Sequence, residues 1–451
     1  MSKREKRTKS DYRDRFMTKG FHFLGIKGIG MSALAHILLE KGIPVSGSDL
    51  SDISSLEALG VKRSKTLPDK GTIIYSSAIP SDHPALLQGR KEKRSILHRS
   101  ELINSLLKGK KGLLVAGTHG KTSTSSLLSW VLISAGLHPS FAVGGILQNL
   151  QKNGGYGTGD FFVLEADESD GSFLNYEGEG AIVTNIEKEH LAFWKNEKKL
   201  VEGFQTFISR IRDKKLLFWC KDDPLLKKIH PPGTSYGKEG DLSLLLCEQN
   251  GEKTVFSAQF EGKVYQDIEL PLMGERLALN ALAIFGLSLK LGISEEVIRK
   301  AFLSFKGVKR RHEKIGEIDS ITIYDDYAHH PTEIKALLKS LKKMRKRGRL
   351  IALFQPHRFS RTQELFSDFN GAFDSADLLI LTSIYPAGEK PIPGITGKTL
   401  FKQVDEGNAL FLEKEFLLDY LPKMLLPGDI LVTIGAGDIA QVGIKLLQEL
   451  S

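Results

Sequence analysis

Cysteine is almost absent from this chain: Cys220 and Cys247 are the only two among 451 residues. So few leave no disulfide framework and no thiolate metal site, and they suit a reducing compartment. Long apolar runs are missing too, and none approaches the ~20 residues of a membrane span. Met1 to Gly20 contains no apolar stretch and does not read as a secretory signal, so the expected location is cytoplasmic. Nor does one sign of charge dominate. The net charge is +9, and the first twenty residues, with eight Lys/Arg against three Asp/Glu, hold five of those charges. That describes a basic, solvated tail at 1–20. The remaining +4 of the body argues against nucleic acid and suits small polyanions. The run Lys342-Lys343-Met344-Arg345-Lys346-Arg347-Gly348-Arg349 is basic enough to meet nucleic acid. It reads better as the positive end of a helix capped at Gly348.

What the chain does have is glycine at the ends of apolar runs. Leu113-Leu114-Val115-Ala116 leads into Gly117-Thr118-His119-Gly120-Lys121-Thr122-Ser123, and a helix-like segment follows to Ala135. This is the layout of a phosphate-binding loop. Backbone N–H groups and a helix N-terminus hold phosphate oxygens, Lys121 supplies a point charge, and Thr122 offers a hydroxyl to Mg²⁺. The full eight-residue pattern would want glycine at Val115, so this is a shortened variant that points to nucleoside-triphosphate use.

A chain of this length suggests about three domains. The pattern divides it at 21–108, 109–308 and 309–451. In the first part, the strand Phe21 to Gly25 is followed by Gly28-Ile29-Gly30-Met31-Ser32-Ala33 and a helical stretch to Lys41. That is G-x-G-x-x-A between strand and helix. A second strand, Pro44 to Ser48, ends at Asp49, nineteen residues beyond Gly30, where a carboxylate can reach a ribose hydroxyl. The alternative is a glycine turn in some other α/β sheet. Ile73 to Ala78 reads as a later strand of the same sheet. In the second part, Phe161 to Glu168 is an apolar strand ending in acids, which places a carboxylate beside the phosphate loop. Ala181 to Ile186 leads to Glu187, Glu189 and His190, and a His in that place either binds metal or caps a turn.

The third part begins after the basic stretch Phe305 to Arg311. Four strands are expected there: Ile321 to Tyr324, Leu350 to Phe354, Asp377 to Leu381 and Ile430 to Ile434. Their C-terminal ends carry Asp325 to Glu333, Gln355 to Arg361, Thr382 to Glu389 and Gly435 to Asp438. Strands alternating with helices predict mainly parallel sheets, whose ligands gather at that edge. Arg358 and Arg361 fall three apart where a helix opens, so both guanidinium groups can face one side.

Taken together, Gly117 to Thr122, Glu165-Ala166-Asp167-Glu168-Ser169-Asp170, Asp325 to Glu333 and Phe354-Gln355-Pro356-His357-Arg358 resemble the Mur ligases, the ATP-dependent peptidoglycan-precursor family. The resemblance covers the chain from about Phe21 and implies an α/β protein of three domains. These are an N-terminal Rossmann-like domain for a UDP-sugar, a central P-loop ATPase-type parallel sheet, and a C-terminal Rossmann-like domain that closes over the site. It implies UDP-N-acetylmuramate, ATP and L-alanine as substrates, Mg²⁺ as cofactor, and a monomer or weak homodimer. The carboxylate is phosphorylated, and the incoming amine attacks the acyl phosphate. By the same resemblance Thr122, Glu165 and His190 would hold metal. Gly28, Gly30, Asp49 and Ser76 would line the UDP-sugar site. Gly117 to Ser123, Asn280, Arg311 and Asp326 would meet ATP, and Lys121, His329, Arg358 and Arg361 would serve the reaction. The chain departs from the family at Arg276-Leu277, where His-Asn is frequent, and at Lys27, where glycine is frequent. Two other readings remain open at this point. One is a sister ligase that joins a recycled murein tripeptide to the same UDP-sugar. The other is a P-loop ATPase or nucleotide sensor without ligase chemistry.

Overall fold

The computed structural model describes residues 20–404 and 407–450. The tail expected at 1–20 lies outside these apart from Gly20. The chain forms two compact units, one running to Ser243 and including Leu282–Ala301, the other comprising Leu244–Ala281 and the chain from Phe302 onward. They carry three mainly parallel sheets interleaved with helices, which is the α/β class expected.

The first unit holds two sheets. The first contains β1 (Phe21–Leu24), β2 (Val45–Ser48), β3 (Lys62–Arg63), β4 (Thr72–Tyr75) and β5 (Ile96–His98), parallel throughout in the order β3-β2-β1-β4-β5. The chain reverses direction of travel across the sheet between β1 and β4, which opens a crevice at their C-terminal ends. Helix Ile29–Glu40 starts there and buries Met31, Leu34, Ile37 and Leu38, the helical spacing that an apolar face requires. The second sheet contains β6 (Lys111–Ala116), β7 (Ser140–Leu147), β8 (Lys152–Gly155), β9 (Phe161–Glu165), β10 (Gly180–Val183), β11 (Leu217–Cys220) and β12 (Thr234–Gly237). Their order is β12-β11-β10-β6-β9-β7-β8, and only β7–β8 is antiparallel. Strands β6 and β10 are almost wholly apolar and buried, as central parallel strands should be.

Around β9 the core is aromatic. Phe173 is fully buried, stacks on Phe207 at 5.1 Å and meets Phe204 edge-on at 5.2 Å. Both partners lie on helix Glu197–Ser209, whose first turn is capped by Asn196 accepting from the Lys199 amide at 2.9 Å. Asn196→Ala should therefore lower stability by ~1 kcal/mol, the usual worth of such a cap. A urea melt checks this, and an unchanged midpoint would show the helix held by its packing alone.

The second unit carries most of β13 (Leu242–Asn250, whose first two residues belong to the first unit), β14 (Lys253–Phe260) and β15 (Lys263–Leu270), with β14–β15 an antiparallel hairpin. Its own sheet contains β16 (Glu313–Ile318), β17 (Ile321–Asp326), β18 (Leu350–Phe354), β19 (Leu378–Leu381), β20 (Ala409–Phe411) and β21 (Ile430–Ile434), ordered β16-β17-β21-β18-β19-β20. Alternate residues of these strands feed two cores. Tyr324, Ala352, Phe354 and Val432 enter one, while Ile323, Ile351, Leu353 and Leu431 enter the other.

The basic run at 342–349 corrects one expectation. Helix Pro331–Met344 ends with Arg345 as its cap, three residues before Gly348. The tertiary contacts decide it. Arg345 pairs with Asp377 and Arg349 with Asp429. Gly348, at φ +71°, lets the backbone pass against Gly428, whose oxygen would lie 2.1 Å from a Cβ.

Candidate active site

The phosphate loop is built by the meeting of β6 and β10. Gly117 takes φ +136°, and a Cβ there would lie 2.1 Å from Thr184 Oγ1, so only glycine fits. Strand β10 stops at Val183 rather than Ile186 because the next residues turn to brace the loop. The Thr184 hydroxyl donates to the His119 carbonyl at 2.7 Å, and Asn185 accepts the His119 amide at 2.8 Å. The Glu187 amide donates to Thr118 Oγ1 at 2.8 Å. His119 Nε2 lies 2.9 Å from the Glu187 carboxylate. Gly120, at φ +82°, then opens helix Lys121–Ser134, whose free N–H groups form an anion-binding end.

Lys121 Nζ donates to the carbonyls of Gly117 and Thr118 at 2.7 and 3.0 Å and to Glu168 Oε2 at 2.7 Å. Burial opposes its charge, but Glu168 and Asp167 outweigh that and raise its pKa. Burial pushes Glu168 up to about 7, partly offset by Lys121. The Thr122 hydroxyl donates to Glu165 Oε1 at 3.0 Å. The other oxygen of Glu165 accepts the Gly144 amide at 2.5 Å. A hydroxyl and a carboxylate side by side at the loop are hard oxygen donors of the kind Mg²⁺ takes, so these residues fit that ion. His190 Nε2 stands 3.8 Å from Glu168 and 3.7 Å from Glu189. With φ +59° it also opens the short helix Leu191–Trp194, so it sits at a turn and beside the acids at once.

The glycine loop of the first sheet adjoins this cluster through Arg99. Its guanidinium would lie 2.9 Å from a Cβ on Gly30 and reaches Asp170 at 3.2 Å and Asp167 at 3.7 Å. Asp170 also accepts from the Ser77 hydroxyl at 2.6 Å. Burial works against the Asp170 charge, yet Arg99 and these donors bring its pKa down to about 2. Asp49 accepts the amides of Lys27 and Ser51 at 2.8 and 2.9 Å, which shapes the turn facing Gly28. Ser76, half-buried, follows β4 directly.

Asn280, Arg311, Asp326, His329, Arg358 and Arg361 belong to the second unit. Asn280 is half-buried on helix Glu275–Lys290. Asp326 accepts the His312 amide at 2.7 Å and the Ala328 amide at 2.7 Å. Burial disfavours its charge, but His312 holds the pKa below the usual range. Arg310 and Arg311 both lie 5.1 Å from the Tyr327 ring centre. His329 Nδ1 is 3.0 Å from the Tyr327 carbonyl, and its ring is 6.3 Å from that of His357. Burial and then Arg361 bring the His357 pKa down to about 3, so its Nδ1 accepts from Arg361 at 3.2 Å. Arg358 is exposed and caps helix Phe359–Glu364 with φ +70°, a strained angle for a side chain of this size.

Three further residues, Glu168, Arg99 and Asn185, carry much of this geometry without a role expected of them. The one sequence signal was the His98-x-x-Glu101 capping box, which starts helix Arg99–Leu107 and delivers Arg99 to the loop.

Comparison with known proteins covers nearly the whole chain. Residues 20–111 match the Mur ligase family, catalytic domain; 115–288 match the Mur ligase middle domain; 310–437 match the Mur ligase, glutamate ligase domain. The chain is 42% identical over 442 residues to the UDP-N-acetylmuramate--L-alanine ligase of Protochlamydia amoebophila, covering 95% of this chain and 97% of that one. It is 38% identical over 450 residues to the protein of the same name from Aquifex aeolicus, covering 96% and 98%. The crystal structure of UDP-N-acetylmuramate-alanine ligase from Thermotoga maritima superposes with a TM-score of 0.84 at 28% identity, covering 96% of this chain and 99% of that one. The chain belongs to the Mur ligase family.

Proposed function

We propose that this protein is an ATP-dependent carboxylate–amine ligase that adds L-alanine to the carboxylate of UDP-N-acetylmuramate, a cytoplasmic step of peptidoglycan precursor synthesis. The observation that carries the reading is full-length likeness, at 38–42% identity, to ligases of that name. The site chemistry agrees with it. A carboxylate is a poor acyl donor, and phosphorylation gives it a leaving group. Lys121 neutralises charge on the transferring phosphoryl group, and the loop Gly117 to Ser123 holds the remaining phosphate oxygens through the amides of the first turn of its helix, those of Thr118 and His119 being taken by Asn185. Thr122, Glu165 and His190 would hold Mg²⁺, which would supply further positive charge beside the phosphate oxygens. The alanine amine then attacks the acyl carbon, and the tetrahedral intermediate expels phosphate to leave the amide. Gly28, Gly30, Asp49 and Ser76 hold the sugar nucleotide. Asn280, Arg311 and Asp326 serve ATP, and His329 stands by the reacting groups.

The test is an amino-acid panel with purified protein, Mg²⁺, ATP and UDP-N-acetylmuramate, reading phosphate release. Release should require the sugar nucleotide and be greatest with L-alanine. Preference for a tripeptide would favour the sister ligase, and release without either substrate would favour a plain ATPase.

Arg358 and Arg361 bring positive charge to the acyl phosphate and the sugar-nucleotide side, a task suited to guanidinium. Arg358→Ala and Arg361→Ala should each lower turnover about tenfold or more, ~1.4 kcal/mol, with little change in binding of a non-hydrolysable ATP analogue. Normal turnover in both would refute the role, and equal loss of nucleotide binding would move them to the ATP side.

A further inference from the structure

Glu168 is the most deeply buried carboxylate beside the phosphate loop, only 1% exposed. Its two oxygens are used unequally. Oε2 accepts from Lys121 Nζ at 2.7 Å. Oε1 is buried and has no hydrogen-bond donor among the described residues, and His190 Nε2, 3.8 Å away, is beyond hydrogen-bond reach. The backbone is fixed, since the Glu168 carbonyl accepts from Trp194 Nε1 at 3.0 Å. An ammonium has three donors, and those of Lys121 are matched by the Gly117 carbonyl, the Thr118 carbonyl and Glu168. A triphosphate in the loop must draw Lys121 from at least one of these. Glu168 is the charged one, and a buried carboxylate that loses its counter-charge needs another donor.

We propose that Glu168 is a positioning residue for phosphoryl transfer. It holds Lys121 in the loop until the triphosphate takes the ammonium, and its orphaned oxygen accepts a hydrogen bond from water carried on the metal held by Thr122, Glu165 and His190. Mg²⁺ gives up its waters reluctantly and normally keeps several. A buried acceptor beside its ligands orients such a water, as outer partners do in metal sites. This rests on the ligase reading above.

The test compares wild type and Glu168→Gln for binding of a non-hydrolysable ATP analogue by calorimetry, with and without Mg²⁺, and follows Mn²⁺ binding in the ternary complex by electron paramagnetic resonance. Without metal, Glu168→Gln should bind the analogue as tightly as wild type or more tightly, because Lys121 is released more easily. The tightening that Mg²⁺ brings should fall about tenfold, since a charge-assisted acceptor is lost, and Mn²⁺ should be held correspondingly less well. If Glu168→Gln does not fold, Glu168→Asp keeps the charge, shortens the reach and carries the same expectation for the metal. Parallel loss of affinity with and without metal would mark a mere structural brace, and an unchanged Mg²⁺ effect would also overturn the proposal. Failure of the wild type to bind the analogue would instead overturn the ligase reading.

Discussion

Lys121→Ala should lose ligation while the far-ultraviolet circular dichroism stays native. Its ammonium sits within the loop on two carbonyls and one carboxylate, and Ala leaves no charge at that point. Loss of a preorganised charge of this kind costs ~3–4 kcal/mol, or about 10²–10³ in turnover. The melting temperature should fall as well, because Glu168 is left buried without its counter-charge. Turnover above about a tenth of wild type, equivalent to ~1.4 kcal/mol, would mean that the loop does not act on phosphate.

Gly117→Ala should be nearly as severe by a different route. The backbone there is at φ +136° and a Cβ would lie 2.1 Å from Thr184 Oγ1 and 3.0 Å from the Asn185 backbone. Strain at such an angle costs ~1–3 kcal/mol, and overpacking adds ~1–3 kcal/mol. The displaced residues, Thr184 and Asn185, are those that brace His119, so the nucleotide should bind poorly in whatever fraction folds. A urea melt read with ATP-analogue binding separates the two effects. Wild-type values in both would show that the loop yields freely at this point.

Much of the architecture was legible because buried parallel strands are written as apolar runs. The apolar runs Leu350 to Phe354 and Ile430 to Ile434 coincide with their strands to the residue, and both are buried throughout. The phosphate loop was legible because its glycines and Lys-Thr pair are local requirements. The hairpin β7–β8 gave no such signal, being glycine-rich and short on one side. The helix end at Met344 was misplaced because pairing with Asp377 and Asp429 decides it. The roles of Glu168 and Arg99 are set by distant partners in the same way. Their partners lie 47 and 71 residues away along the chain, and periodicity carries no information over such distances. The family resemblance supplied residue identities but not this web of partners.

The hairpin β7–β8 also sets where the protein can be divided. Asn153 Nδ2 donates to the Ile29 carbonyl at 2.6 Å and to Ser32 Oγ at 3.0 Å. Glu40 takes the Tyr156 amide at 2.7 Å and the Lys152 ammonium. Gly154 lies so near helix Ile29–Glu40 that a Cβ would come within 2.2 Å of the Ala33 carbonyl. The two ends of that helix are thus gripped by residues more than a hundred positions downstream. Modularity in this chain therefore does not follow the order of its segments. A chimera that exchanged residues 21–108 with those of a relative would bring a foreign helix onto Gly154. Recombination that keeps these contacts carries 152–156 together with the first sheet.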